Sequence, residues 1–169
     1  MTEVVVDTDV ISFGFRNDSR FTDYLPHMQG LRPLMSFMTH AEIEFGIRRR
    51  NWGQERRQHL EQYLKQYYSV IHSSDALCRV WADLRAESEL AGRNLPEADA
   101  WNAELAVLLN VPLLSHNRKH YQHVGLHQFD EMDLASLRES ADDEKASRLV
   151  SLQTAAASIR QKHGFDEPQ

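Results

Sequence analysis

The sequence is poor in the residues that build disulfide scaffolds and membrane spans. Its 169 residues include a single cysteine, Cys78, which excludes a disulfide framework and a cysteine-based zinc site. No apolar run approaches the ~20 residues that a transmembrane helix needs. The first residues are acidic and apolar, whereas a signal peptide opens with a basic stretch. We therefore expect one main globular domain in a reducing, cytoplasmic compartment.

An excess of positive charge is also lacking. The chain has 19 Lys and Arg against 25 Asp and Glu, a formal net charge of −6, which is not typical of a protein that coats nucleic acid. A nucleic-acid enzyme stays possible in principle, because an acidic metal site lowers the net charge while a local basic patch still binds phosphates. A solvated helical surface explains such a patch equally well. One basic run is present, and it comprises Arg48, Arg49, Arg50, Arg56, Arg57 and Lys65.

Short apolar strands alternate with helical patterns along the chain. The valine run at 4–6 predicts a buried parallel strand. A polar loop is predicted across Pro26, Gly30 and Pro33. The alternation predicts an α/β fold, with a mostly parallel sheet covered by helices on both faces. Further strands are predicted at 34–38, 69–72 and 111–115, and a weak one at 126–129.

Beyond residue 132 the character of the sequence changes. A polar stretch is followed by apolar residues at helical spacing. We predict that residues 133–169 form a helical C-terminal extension with a loose end, separate from the domain at 1–132. The apolar positions of this extension are Leu149, Leu152, Ala156 and Ile159.

Acidic residues follow the predicted strands at the points where the strands end. Asp7 and Asp9 follow the first strand, Glu42 lies in the helix after the second, and Asp99 lies in the helix opened by Pro96. Carboxyl ends of parallel strands share one edge of a sheet, so these side chains should converge. Clustered carboxylates repel one another unless a cation such as Mg²⁺ or Mn²⁺ joins them. Such a site activates water for phosphodiester hydrolysis. The fourth strand ends at the same edge with Ser115, His116 and Asn117.

Each acid also has a simpler interpretation. Glu42 completes a capping box with Thr39, Asp9 is placed to cap a helix, and Asp99 favours the dipole of its own helix. Asp7 is harder to explain in this way, because an acid directly after a buried valine run needs a partner.

Four segments carry the acids and the strand ends described above. They read VVVDTDVISF at 4–13, THAEIEFGI at 39–47, GRNLPEADAWNAELA at 92–106 and PLLSHNRKHYQHVGL at 112–126. In this order and spacing, the segments resemble PIN-domain proteins, and more narrowly the VapC-type toxins of bacterial toxin–antitoxin pairs. The resemblance implies a three-layer α/β/α sandwich and a Mg²⁺- or Mn²⁺-dependent endoribonuclease, with residues 1–132 as the PIN-like nuclease domain. It also implies an RNA substrate, a cognate antitoxin and a homodimer.

Carried over by position, the metal ligands are Asp7, Glu42 and Asp99. Asn117 joins them as a catalytic position, although many PIN proteins have an aspartate there. An asparagine can ligate through its carbonyl oxygen or hold a water, but it adds no negative charge. The supporting residues are Asp9, Ser115, which matches a small hydroxyl position of the family, and Arg93, whose place ahead of the Asp99 helix suits a phosphate contact.

Two alternative functions stay open. With Asn117 in place of an acid, the domain is also consistent with a catalytically weakened or silent binding module. The Asp7-Thr8-Asp9 sequence further resembles the start of haloacid-dehalogenase-like phosphatases, in which the first acid is a nucleophile and the second a general acid. That family expects a later pair of acids, and this chain has His116-Asn117 after its fourth strand, so the phosphatase ranks well behind.

Four histidines near the end of the predicted domain raise the question of a zinc site. Their spacings of four, three and four suit metal ligation in a helix. Gly125 interrupts any such helix, and no cysteine accompanies them. We favour exposed or RNA-facing histidines, which are His116, His120, His123 and His127.

Overall fold

The computed structural model describes residues 3–121, 124 and 128–129. These residues form an α/β/α sandwich around a five-stranded sheet in the order β3-β2-β1-β4-β5, with every neighbouring pair parallel. The predicted fold class is confirmed. The predicted extension at 133–169 lies outside the described residues. The strands are β1 (Glu3–Val6), β2 (Arg32–Ser36), β3 (Ser69–Ile71), β4 (Leu113–Leu114) and β5 (Gln128–Phe129).

Seven helices are assigned within the described part of the chain. None of them is long and apolar enough to cross a membrane. They are α1 (Thr8–Phe15), α2 (Phe21–Met28), α3 (Phe37–Arg49), α4 (Gln54–Tyr67), α5 (Asp75–Leu90), α6 (Glu97–Leu109) and α7 (Arg118–Tyr121).

The valine run of β1 divides its side chains between two hydrophobic cores. Val5 packs with residues of α5 and α6, such as Leu84, while Val4 and Val6 pack on the opposite face with residues of α1, α3 and α4. All three valines are fully buried. A strand buried on both faces has no need of polar alternation, and this explains its continuous apolar sequence.

β1 is the central strand of the sheet, and its carboxyl end marks a site where a ligand can bind. β1 pairs with β2 on one side and with β4 on the other. The backbone N–H of Asp7 continues the second pairing by donating to Leu114 O at 2.9 Å. Because the connections from β1 and from β4 leave on opposite sides, the carboxyl end of β1 is a switch point, where open α/β sheets bind their ligands.

The prediction of a loop across Pro26, Gly30 and Pro33 is wrong at both proline residues. Residues 21–28 form α2, with Pro26 inside it, and Pro33 is the second residue of β2. Tyr24 of α2 is buried, and its ring packs near Phe13, so tertiary packing outweighs the weak helical preference of this segment. Pro33 precedes the residues of β2 that pair with β3, and the start of a strand tolerates proline.

Two predicted helix starts are also corrected. Ser36 caps α3, because its Oγ accepts from Thr39 N at 3.1 Å. The second strand therefore ends at Ser36, two residues before its predicted end, and Thr39 does not begin a capping box. Asp7, not Asp9, caps α1 and accepts from Thr8 N at 2.7 Å. Asp7 directly follows β1, and Ser36 is itself the last residue of β2, so each helix begins earlier in the sequence than predicted.

Candidate active site

Asp7 is the centre of a buried hydrogen-bond network at the carboxyl edge of the sheet. It is only 5% exposed. Its Oδ1 accepts from Thr8 N at 2.7 Å and from Asn102 Nδ2 at 2.9 Å. Its Oδ2 accepts from Ser115 Oγ at 2.8 Å and from Tyr121 Oη at 3.0 Å. A carboxylate offers about four lone-pair directions, so every direction of Asp7 is used and the side chain acts only as an acceptor.

The electrostatics of Asp7 indicate an uncompensated cluster of acids. Burial, followed by the charges of Asp9 and then Asp99, raises the pKa of Asp7 from 3.8 to about 7, against the opposing hydrogen bonds of Ser115 and Thr8. Burial also raises the pKa of Asp9. The carboxylates of Asp7, Asp9 and Asp99 are therefore within electrostatic reach of one another. A cation among them would remove the repulsion.

Asp9 ties α1 to the loop after β4. Its Oδ1 accepts from Val10 N at 2.7 Å, and its Oδ2 accepts from His116 N at 3.1 Å. The ring of His116 is held separately, with Nδ1 at 2.9 Å from Tyr24 Oη and an edge-to-face contact with Phe13. Asp9 thus fixes the loop that carries Ser115 and Asn117 onto the start of α1.

Glu42 reaches the site through one intermediate residue. Its Oε2 accepts from Thr8 Oγ1 at 2.5 Å. Since Thr8 follows Asp7 directly, the carboxylate of Glu42 lies beside the start of α1. The capping-box interpretation of Glu42 is wrong, because its side chain bonds Thr8 and Ser36 caps α3.

Asp99 forms a second acidic position, with a histidine against it. Its side chain is 16% exposed, and Oδ2 pairs with Nδ1 of His120. Asn117 Nδ2 lies 2.8 Å from the same ring nitrogen, but a nitrogen that donates to Asp99 cannot also accept from the amide. The backbone N–H of Asn117 donates to Ser115 Oγ at 3.0 Å. Asn117 and Ser115 therefore connect the Asp99 position with the Asp7 position.

The structure brings most of the predicted acids together and leaves the predicted arginine apart from them. Asp7, Asp9 and Asp99 share one electrostatic cluster, and Glu42 joins them through Thr8. Arg93 is exposed in the loop before α6, where its backbone N–H donates to Ser88 O at 2.9 Å.

The acids suit a Mg²⁺ site with one or two carboxylate ligands better than a site with three or more protein ligands. Across residues 3–121, 124 and 128–129, no three His, Cys, Asp or Glu side chains gather closely enough to hold a metal ion together. Mg²⁺ is usually bound by one or two carboxylates and keeps several waters. The all-oxygen donors of Asp7 and Asp99 suit such a site. The histidines do not assemble for zinc where they are described, since His116 and His120 contact different partners, and His123 and His127 lie outside the described residues.

Three residues of the site escape the sequence analysis: Thr8, Asn102 and Tyr121. Asn102 gives the one recognisable signal, because it is a polar residue at a buried position of a helix that is otherwise mostly apolar there. Buried amides are almost always hydrogen-bonded, so its place in the Asp99 helix indicates a polar partner near the strand ends.

A groove of about 200 Å³ opens beside the acids. Thr8 and Glu42 lie at its lining, so the groove reaches the edge of the acidic site. Arg16 and Arg50 also line it and are exposed. The rest of the lining is mostly apolar and comes from α1, α3 and α4 with the loop before α4, through Ile11, Phe15, Ile43, Ile47, Trp52 and Leu60.

A family model for the PIN domain matches residues 4–126. The chain belongs to the PIN domain family. The four resembling segments and the α/β/α fold are thereby placed in one family, and the phosphatase alternative loses its support. A search among proteins of curated function finds none that matches.

Solved structures show the same fold at low sequence identity. VapBC2 from Rickettsia felis, bound to a DNA fragment from its promoter, gives a TM-score of 0.67 at 18% identity, over 76% of this chain and 100% of that chain. FitAcB from Neisseria gonorrhoeae gives 0.64 at 18% identity, over 75% and 96%. VapBC-1 from nontypeable Haemophilus influenzae gives 0.62 at 23% identity, over 76% and 98%.

Proposed function

We propose that this PIN-domain protein is a metal-dependent endoribonuclease that acts in the cytoplasm as the VapC-type toxin of a toxin–antitoxin pair. The observation that carries the proposal is the buried Asp7 carboxylate, whose pKa is raised by burial and by the nearby charges of Asp9 and Asp99. A structure that places acids together at a ligand-binding edge at such an electrostatic cost is typical of a functional site.

The chain's own residues would prepare the site for Mg²⁺ or Mn²⁺. Asp7 and Asp99 would hold the cation, with Glu42 and Asn117 at its margin. When bound, the cation supplies a water of lowered pKa and neutralises charge on the scissile phosphate. His120 orients the Asp99 carboxylate through its ring N–H, and Ser115 couples Asp7 to the loop that carries Asn117.

Several side chains of the basic run are engaged in local contacts. Arg48 pairs with Glu44. Arg56 lies 3.8 Å over the Trp52 ring, and Arg57 Nε donates to Trp52 O at 2.7 Å. These arginines support local structure, so we assign the steering of RNA to the exposed Arg49 and Arg93.

A partner antitoxin is supported by the names of the solved relatives, which describe VapBC assemblies and a toxin–antitoxin complex from Klebsiella pneumoniae. The groove beside Glu42 is the surface on which we place the antitoxin, since an apolar segment seated there would end at the acids. A homodimer through the α/β core completes the proposal.

The decisive experiment compares RNA cleavage by the wild type, Asp7→Asn and Asp75→Asn, with Mn²⁺ and with EDTA. Asp75 is an exposed acid at the start of α5 and serves as the matched control. We expect EDTA and Asp7→Asn each to reduce cleavage at least ~100-fold, since even partners of metal ligands contribute about 10–100-fold. Equal cleavage by the wild type and Asp7→Asn would assign the activity to a contaminant.

One observation favours a second candidate, a silent binding module. Asn117 supplies no charge at a position where many PIN proteins have an aspartate. Asn117→Asp separates the two functions. If the wild type is inactive and Asn117→Asp gains Mn²⁺-dependent cleavage, the natural protein is the binding module.

A further inference from the structure

Hydrogen bonds to the start of α3 and to Asp7 hold the side-chain amide of Asn102 in one orientation. It lies on α6 and is only 1% exposed. Its Oδ1 accepts from Ser36 Oγ at 2.5 Å and from Thr39 Oγ1 at 2.9 Å. Since both hydroxyls donate to the amide oxygen, the NH₂ group is left to face Asp7, to which it donates at 2.9 Å.

Tyr121 completes a closed set of hydrogen bonds around Asp7. It lies on the short helix α7 and is also 1% exposed. Its hydroxyl donates to Asp7 Oδ2 at 3.0 Å. One side chain from α6 thus holds Oδ1, and one from α7 holds Oδ2. We call Asn102 and Tyr121 the Asp7 clamp.

The hydrogen bonds of Asp7 leave none of its lone pairs available to a cation. All four directions are occupied, so a cation must take the place of one donor. The Ser115 hydroxyl can give way by turning about its Cβ–Oγ bond. The clamp residues are fixed more firmly, Asn102 by the hydroxyls of Ser36 and Thr39 and Tyr121 by its burial. They would therefore keep the plane of the carboxylate while the serine yields.

We propose that Asn102 and Tyr121 are positioning residues that fix the Asp7 carboxylate in the orientation required for cation binding. The inference rests on the proposed metal-dependent function and adds to it two residues that neither touch RNA nor ligate the metal. It follows from hydrogen bonds that join residues 95 and 114 positions apart.

The test measures Mn²⁺ affinity by the electron paramagnetic resonance signal of the free ion. Tyr121→Phe removes only the hydroxyl. The matched control is Tyr68→Phe, because Tyr68 is a buried tyrosine of the opposite core whose hydroxyl lies 3.3 Å from Tyr63 Oη. We expect Tyr121→Phe to weaken Mn²⁺ binding about tenfold, and Tyr68→Phe to leave it within about twofold of the wild type.

A thermal double-mutant cycle examines the same hydrogen bond without metal. Tyr121→Phe should lower Tm in the wild type but not in Asp7→Ala, where the phenol has already lost its acceptor. Equal Tm losses in both backgrounds would overturn the clamp, as would unchanged Mn²⁺ affinity in Tyr121→Phe when the wild type binds Mn²⁺. A wild type that binds no Mn²⁺ overturns the proposed function, and the role of the clamp in metal binding falls with it.

Discussion

Glu104 is a buried acid that lies outside the candidate site. It is on α6, 1% exposed, and its Oε2 has no hydrogen-bond partner within the described part of the chain. Burial raises the pKa of Glu104 to about 9, with a backbone hydrogen bond from Trp81 opposing it. The carboxyl is therefore neutral in the folded protein at pH 7, whereas in the unfolded chain it ionises near pH 4.5.

This difference predicts a loss of stability as the pH rises. Between about pH 4.5 and 9 the folded state binds the proton and the unfolded state does not, so the free energy of unfolding falls with pH. We expect a fall of at least ~1 kcal/mol from pH 6 to pH 8.5, since one pKa unit corresponds to ~1.4 kcal/mol. Glu104→Gln should flatten this slope in urea titrations at the two pH values.

The control is Glu87→Gln, which removes an exposed acid of α5 and should leave the slope unchanged. A slope that is equally steep in Glu104→Gln would show that Glu104 is already ionised in the folded protein.

At the residue scale, the acids are easier to predict than the residues that hold them. Asp7, Asp9 and Asp99 are predicted from their places after strands and at helix starts, because parallel strands bring such places to one edge. Tyr121 cannot be found in this way. Its contact with Asp7 joins two ends of the domain and depends on the direction of α7, which local sequence does not determine.

Gly14 marks the point where three helices of one layer meet. It lies in α1, and a Cβ built on it would contact the Tyr63 hydroxyl of α4 and lie 2.9 Å from the Phe21 ring of α2. The close approach of these helices therefore requires a residue without a side chain. Gly46 in α3 differs, since a Cβ there would meet only Arg50 Nη1, at 3.9 Å.

The two glycines predict opposite effects of the same substitution. Gly14→Ala should destabilise the protein by about 1–3 kcal/mol, because it overpacks the junction. Gly46→Ala should stabilise it by up to ~1 kcal/mol through helix propensity. Urea unfolding of both variants measures the difference. A stabilising Gly14→Ala would mean that α1 and α4 are farther apart than in this structure.

At the element scale, long helices with regularly spaced apolar residues are predicted better than short helices. The charged sequence after Gly53 predicts a helix from about residue 54 to residue 67, and α4 spans Gln54–Tyr67. The prediction succeeds because the helix starts directly after a glycine and its buried positions, Leu60 and Leu64, are four residues apart. α2 is missed because its eight residues include Pro26 and bury mainly Tyr24. Helices this short are stabilised by tertiary contacts, which no local pattern displays.

At the scale of the whole molecule, the sheet order places two surfaces side by side. The acids lie at the carboxyl end of β1, and the groove between α1, α3 and α4 begins at Thr8 and Glu42. The four sequence segments predict the acidic edge, but they do not predict the groove. Its walls are apolar side chains that also fit an ordinary core, and only the packing of the helices shows which of them line a cavity.

The groove gives the proposed antitoxin a binding site that can be tested on one helix. Ile43 lines the groove, whereas Phe45, on the same helix, is 64% exposed and outside the lining. A partner that fits would present apolar side chains to the groove and acidic groups to Arg16 and Arg50. Truncating a residue at the centre of such an interface commonly weakens binding tenfold or more.

We therefore expect Ile43→Ala to raise the Kd for the proposed antitoxin at least about tenfold, as measured by calorimetry. Phe45→Ala removes a larger side chain and should leave the Kd within about twofold, because that side chain faces away from the groove. Thermal unfolding of both variants separates lost contacts from lost folding. If Phe45→Ala weakens binding and Ile43→Ala does not, the antitoxin binds the outer face of α3 and the groove serves another ligand.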